Sequence, residues 1–284
     1  MQPTAPPDLV TYPLPMSGES TEFHPVFVAS YHKGGTVWIH STFQRISSLC
    51  NYPFIHLNTG EIGWDIRPDK REYLDAELQR VQAEQPPGAI VVDYHSAIPD
   101  LSGIPNARGI HLVRDPRDML ISAAFFHETS NEIWLDQPDP SFGGRTFREQ
   151  LLTYSTMADR IRFELDTYMG HEIQRMSDFV DRADHGTVFR MVRYEDLIRD
   201  HDMLRFHQLA IHLGFSGLEI VQALQAFWSH SVFGGMRDAL ESGTHPHIRN
   251  GAPEQWREAL DVSTLELIHD RVGPVIERLG YPIP

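Results

Sequence analysis

The sequence predicts an α/β fold built on a parallel sheet, and three observations carry that reading. Short apolar, β-branched runs occur at His24 to Tyr31 (HPVFVASY), Ala89 to Tyr94 (AIVVDY) and Gly109 to Val113 (GIHLV), as expected of strands buried on both faces. Segments with helical apolar spacing alternate with them, the order that parallel βαβ units require. Each run also closes on polar residues, and parallel sheets bind ligands outside the carboxyl ends of their strands.

In chain order, residues 1–20 hold five prolines (Pro3, Pro6, Pro7, Pro13 and Pro15) and little apolar period, so they read as an irregular arm. Residues 21–284 read as one domain. After the first strand HKGG interrupts the chain, and Val37, Ile39, Phe43, Ile46 and Leu49 then mark a helix with a buried stripe. The run over 109–113 feeds a helix starting near Pro116, a residue suited to the first helical position. Helices are expected over about 146–168 and 172–183, followed by a strand, TVFRMVRYEDL, from Thr187. Helices over 204–213 and 217–228, a glycine-rich irregular stretch over 231–252 and a last helix over about 264–279 complete the chain.

Composition narrows the function. A chain of 284 residues with 41% hydrophobic and 22% charged residues is globular, not disordered, collagenous or coiled coil. The single Cys50 excludes an internal disulfide and a cysteine-based zinc or iron–sulfur centre. No apolar run approaches the ~20 residues that cross a bilayer, and the N-terminus lacks the basic and apolar regions of a secretory signal. The expectation is a cytoplasmic protein without a membrane partner. Thirty-nine acidic against 24 basic residues give a formal charge of −15, which disfavours a nucleic-acid partner. Of the cations only Lys33 and Lys70 are lysines. Lys33 is either a plain surface residue or a compact ammonium that meets a leaving-group oxygen where a planar guanidinium would not fit.

Three clusters lie at strand ends. In Tyr31-His32-Lys33-Gly34-Gly35-Thr36-Val37-Trp38, two glycines let successive backbone N–H groups converge and the helix N-terminus adds partial positive charge, which makes an anion cradle. It is not a Walker A loop, because the lysine precedes the glycines and no GK[ST] follows. In Arg114-Asp115-Pro116-Arg117-Asp118, Arg114 closes a strand and Ser122 lies two helical turns on, so a guanidinium and a hydroxyl can grip one phosphate. The third is Arg193-Tyr194-Glu195-Asp196-Leu197, with a tyrosine placed to stack on a base. Metal chemistry finds little support: there is no HExxH, and His245 with His247 forms a pair without an obvious third ligand.

In this order the clusters resemble the PAPS-dependent sulfotransferases of the cytosolic type, whose patterns are YPKSGTTW, RNPKDxxxS and YEDL. The resemblance runs from about Phe27 to Trp256. It implies a P-loop-type three-layer α/β fold, with a central parallel sheet flanked by helices. It also implies sulfonate transfer from 3′-phosphoadenylyl sulfate (PAPS), with PAP as product and no metal, to a hydroxyl or amine of a small-molecule acceptor. Where the family has KTHLP, this chain has Asp93-Tyr94-His95-Ser96-Ala97-Ile98-Pro99, so His95 takes the place of the family base. Ser231-Val232-Phe233-Gly234-Gly235-Met236 and Arg249-Asn250-Gly251 with Trp256 correspond to the late cofactor segments.

The implied roles follow. Lys33 and His95 are catalytic. Lys33, Gly34, Gly35, Thr36, Val37 and Trp38 form the cradle; Arg114, Ser122, Arg249 and Gly251 hold the 3′-phosphate; Trp38, Tyr194 and Phe233 flank adenine, with Ser231, Met236 and Asn250 beside them. Gly34 and Val37 replace two family hydroxyls, and Asn250 replaces a lysine, departures that weaken donor binding. Asp93 replaces the lysine two before the base and points to a cationic or hydrogen-bond-donating acceptor. The acceptor pocket is expected from segments such as Trp64, Phe126 and the loop around Phe142. A homodimer stays open, as do a P-loop nucleotide-dependent kinase and a non-catalytic nucleotide-binding relative; retention of both His95 and Lys33 argues against the last.

Overall fold

The computed structural model describes residues 23–57, 70–84, 86–94, 98–238 and 251–283. The expected N-terminal arm lies outside them. Five strands, β1 (His24–Ala29), β2 (Phe54–His56), β3 (Gly88–Asp93), β4 (Arg108–Val113) and β5 (Phe189–Arg193), form one sheet in the order β2-β3-β1-β4-β5. Every pairing is parallel, and Ala29 at the end of β1 stands between Asp93 of β3 and His111 of β4.

The strand period of two sends alternate residues to two separate cores. Val26 and Val28, with Ile90, Val92, Ile110 and Leu112, pack against α1 (Thr36–Cys50) and three later helices. Phe27 and Ala29, with Ala89 and Val91, face α2 (Lys70–Ala83), α3 (Pro116–Thr129), α4 (Phe147–Leu152), α5 (Met157–Asp166), α6 (Tyr168–Asp178) and the C-terminal helix Val262–Arg278. The first layer is completed by α7 (Tyr194–Ile198), α8 (Leu204–His212) and α9 (Gly217–His230). The result is the expected helix–sheet–helix sandwich. Among the described residues no helix is long and apolar enough to cross a membrane.

Several boundaries differ from the sequence expectation for local reasons. The helix expected over 146–168 is two helices, because Thr146 and Thr156 each cap one: Thr146 forms a capping box with Glu149, and the Thr156 hydroxyl accepts from the Asp159 N–H. The strand expected to run through YEDL stops at Arg193, and Tyr194 opens α7. The helix expected over 172–183 starts earlier, at Tyr168, and gives way to a 3₁₀ turn at Phe179. β2 and α2 were not anticipated: three residues are too few to show a period, and α2 buries only Leu74, Leu78 and Val81 in a charged segment. The last helix starts at Val262, where the Asp261 carboxylate accepts from the Thr264 N–H at 2.8 Å.

From β1 the chain turns toward the β2 edge, and from β4 it proceeds to β5 on the other side. The carboxyl ends of β1 and β4 therefore flank the crevice that such a reversal creates. The β4–α3 turn is fixed by Asp115, which caps α3 and pairs with the fully buried Arg117 guanidinium at 2.7 and 2.9 Å. That guanidinium also lies 3.8 Å over the Trp256 ring. Asp118, one residue on, accepts from the N–H groups of Glu254 and Trp256 and so anchors the chain beyond Gly251. Asp115→Ala should leave Arg117 buried and unpaired and destabilise the fold by about 3–5 kcal/mol. Urea unfolding at neutral pH checks this; a loss below 1 kcal/mol, the size of a surface pair, would show that the pair does not hold the turn.

Candidate functional site

The first cradle follows directly from β1. The Tyr31 carbonyl accepts from the Gly34 N–H at 2.8 Å and from the Thr36 hydroxyl at 2.6 Å, which closes a tight turn. Inside it Lys33 sits at φ 60° and Gly35 at φ 99°, both left-handed. For lysine that conformation costs about 1–2 kcal/mol and is sustained by its surroundings. Gly35 is required twice: by its φ, and because a Cβ there would lie 2.7 Å from Cδ2 of Tyr194. The Thr36 hydroxyl spends its proton on the turn, so what Thr36 can offer an anion is its backbone N–H. Val37 is exposed and Gly34 is buried.

The β4 cluster meets this loop. Arg114, buried at the end of β4, donates from Nη1 to the Lys33 carbonyl at 2.9 Å and lies 4.6 Å over the Tyr194 ring. Its Nε is buried and has no hydrogen-bond partner in the structure. Tyr194 in turn donates its hydroxyl to the Gly251 carbonyl at 2.8 Å. Lys33, Gly35, Arg114, Tyr194 and Gly251, drawn from four separate segments, are thus one connected unit. Ser122 is half-buried on α3.

Aromatic residues continue from it. The Trp38 ring lies edge-on to Tyr194 at 5.7 Å and 5.6 Å from Phe227, which is 5.9 Å from Phe233. Phe233 stacks on His201 at 4.8 Å. Trp38 is 6% exposed, so at most an edge of it is open to a ligand. Ser231 is fully buried and donates to the Trp228 carbonyl, while its own carbonyl accepts from the Met236 N–H. His95, Trp64, Arg249, Asn250, His245 and His247 lie outside the described residues. Asp93, two before His95, is fully buried at the end of β3.

The Lys33 ammonium rests 3.4 Å from the centroid of the Phe126 ring. Burial lowers its pKa to about 7, the Arg114 charge adds to that fall, and Glu132 and Glu164 oppose it. Beneath the loop lies a group that the sequence reading did not single out. His32 contacts His127, and His127 contacts the buried Glu164. A signal was present: YPKSGTTW has proline where this chain has His32.

Comparison with known proteins agrees with this architecture. The family model described as Sulfotransferase domain matches residues 24–280. Carbohydrate sulfotransferase 6 of Homo sapiens is 24% identical over 191 residues, 62% of this chain and 42% of that protein, so the match spans less than half the length of this curated relative. A crystal structure of mouse sulfotransferase SULT7A1 complexed with PAP is similar with a TM-score of 0.53 at 17% sequence identity, covering 89% of this chain and 84% of that chain, a likeness of fold. With the family model matched across the sheet, the loop and all three strand-end clusters, the chain belongs to the sulfotransferase family.

Proposed function

We propose that this protein transfers a sulfonate group from PAPS to a hydroxyl, or alternatively an amine, of a small acceptor. The observation that carries this reading is the junction of Lys33 and Arg114 at the ends of β1 and β4. It gathers two cations and a left-handed backbone turn in a chain whose net charge is −15. The residues suit the donor. The buried, unpartnered Arg114 Nε is a donor awaiting an acceptor, and Gly35 lets the Tyr194 ring close against the turn.

The donor supplies an activated sulfonate, whose in-line transfer needs mainly positioning and charge stabilisation. Lys33 would neutralise the bridging oxygen as its bond to sulfur breaks. By the family resemblance, Arg114, Ser122, Arg249 and Gly251 would hold the 3′-phosphate, Trp38, Tyr194 and Phe233 would flank adenine, and Ser231, Met236 and Asn250 would line its edge. His95 would take the acceptor proton. The half-buried Phe126, carrying the Lys33 ammonium on its face, marks the side from which the acceptor would approach.

Lys33→Ala should lower kcat far more than it raises the Kd for PAP, because the charge it answers grows during transfer. Lys33→Arg should not restore the rate. Assay with labelled donor alongside calorimetry decides, and an alanine variant that lost affinity but kept its maximal rate would make Lys33 a binding residue. His95→Ala should fold, bind PAP as wild type does and lose about 10²–10⁴-fold in turnover; retention of most activity would assign the base elsewhere.

Lys33 also gives a pH prediction. With its pKa lowered to about 7 in the free protein, Lys33 is largely neutral at pH 8. A bound polyanion favours the ammonium and raises that pKa, so binding takes up a proton and weakens as pH rises above 7. Calorimetry of PAP binding at pH 8 in two buffers of different ionisation enthalpy should show uptake that disappears in Lys33→Met; equal heats in both buffers would contradict it.

A further inference from the structure

One segment of the chain holds Lys33 at both ends. At the backbone, Arg114 at the end of β4 donates to the Lys33 carbonyl at 2.9 Å. At the tip, the Lys33 ammonium lies 3.4 Å from the centroid of the Phe126 ring, near the end of α3, the helix that follows β4. Among the described residues the ammonium makes no hydrogen bond and no ion pair, so the ring face is its close partner there. Glu132 and Glu164 act on it by charge from farther away.

The ring is itself fixed. Phe126 is half-buried and stands edge-on to His32, with centroids 5.6 Å apart, and to His127 at 5.9 Å. His127 is sealed in the core, with its Nδ1 2.7 Å from Glu164. Packing therefore sets the face that Lys33 meets.

An aromatic face attracts a cation through its quadrupole and carries no net charge. A carboxylate in the same place would pair with the ammonium, cancel its charge and repel an anionic donor. The ring does neither. The positive charge stays whole, and the N–H groups of the ammonium, which have no acceptor among the described residues, are left for the donor.

We propose that Phe126 is a positioning residue for sulfonate transfer, a platform that keeps the Lys33 ammonium charged and facing the donor in both the free and the donor-bound protein; this rests on the function proposed above. Phe126 takes no proton in this role. It acts through Lys33, by favouring the ammonium over the neutral amine. Burial and Arg114 push the other way, Glu132 and Glu164 push with the ring, and the resulting pKa is about 7. The groups that face the pair are thus Arg114 of β4, Glu132 beyond α3, Glu164 of α5 and the two histidines that border the ring, His32 and His127. All of them are kept when Phe126 is replaced by leucine, so that substitution isolates the aromatic face.

The first arm of the test needs no ligand. The chain has only two lysines, Lys33 and Lys70, so lysine-selective 13C labelling gives two sets of side-chain signals, told apart with Lys70→Arg. In wild type the ring current should shift the Lys33 Hε signal upfield of free lysine. In Phe126→Leu that shift should vanish and the Lys33 titration midpoint fall by about 1, the size of a partly desolvated cation–π contact. Phe126→Tyr should keep both. A wild-type Hε signal at the free-lysine position, or a midpoint unmoved by leucine, would overturn the proposal.

The second arm measures PAP binding by calorimetry. With the ammonium on the ring in both states, the leucine variant loses protonated Lys33 only above its lowered midpoint. It should bind PAP about tenfold more weakly than wild type at pH 8 and within about twofold of it at pH 6, and Phe126→Tyr should match wild type at both. Weakening by the same factor at both pH values would mark a purely structural role. Tighter binding at pH 6 with no change at pH 8 would mean that the ring releases the ammonium when the donor arrives. Either result would overturn the proposal and leave the sulfotransferase reading intact, whereas a wild-type protein that binds no PAP would overturn both. Because the ring-current shift is read on wild type, failure of Phe126→Leu to fold does not remove the test.

Discussion

The contact on which the site depends is the 2.9 Å hydrogen bond from Arg114 to the Lys33 carbonyl. It joins the carboxyl ends of β1 and β4, where the chain reverses its course across the sheet. A carbonyl oxygen left bare in an anion cradle would repel a ligand, and the guanidinium occupies this one with a charged donor. The same guanidinium lies over Tyr194, whose ring occupies the space that only glycine at position 35 leaves open. Tyr194 then reaches Gly251 through its hydroxyl. One contact therefore sets the turn, the aromatic wall and the incoming C-terminal segment together. The left-handed conformation of Lys33 is sustained by this convergence.

The strand ends of the sheet were legible because their physics is local. β-branched runs, a glycine pair and a proline at the start of α3 each announce themselves within a few residues, and the β1, β3 and β4 runs and the start of α1 fall where expected. What was missed depends on distant partners. Two threonine caps split one long apolar pattern into α4 and α5, and nothing in the period distinguishes a capping threonine from one inside a helix. YEDL has the apolar content of a strand end, but Tyr194 is drawn into a helix by its packing on Trp38 and Arg114. For the site, sequence brought Lys33, Arg114 and Tyr194 together only through the order of motifs. Thr36, assigned to the cradle, uses its hydroxyl to close the turn, which no motif encodes.

Beneath the cradle the molecule buries acidic residues. Glu164 and Glu172 are fully buried, and each meets a donor at the loop or next to it: His127 for the first, the His32 N–H and Arg175 for the second. Buried carboxylates are tolerated only when hydrogen-bonded or paired. Here the partners fasten the underside of the loop, and Glu164, with Glu132, partly balances the Lys33 charge.

That balance also accounts for lysine at position 33 in a chain whose cations are otherwise arginine, save Lys70. An arginine there would stay protonated however deeply it was buried, and with Arg114 bonded to its carbonyl the empty site would hold two adjacent positive charges, only partly balanced. Lysine can release its proton, and burial together with Arg114 lowers its pKa to about 7. The empty site is spared the second charge. Under the proposed function an arriving anion would restore it, and the ammonium would then meet the charge developing on a leaving oxygen in a weakly solvated pocket. The residue that the proposed chemistry calls for is also one that the free fold can hold without a second full charge.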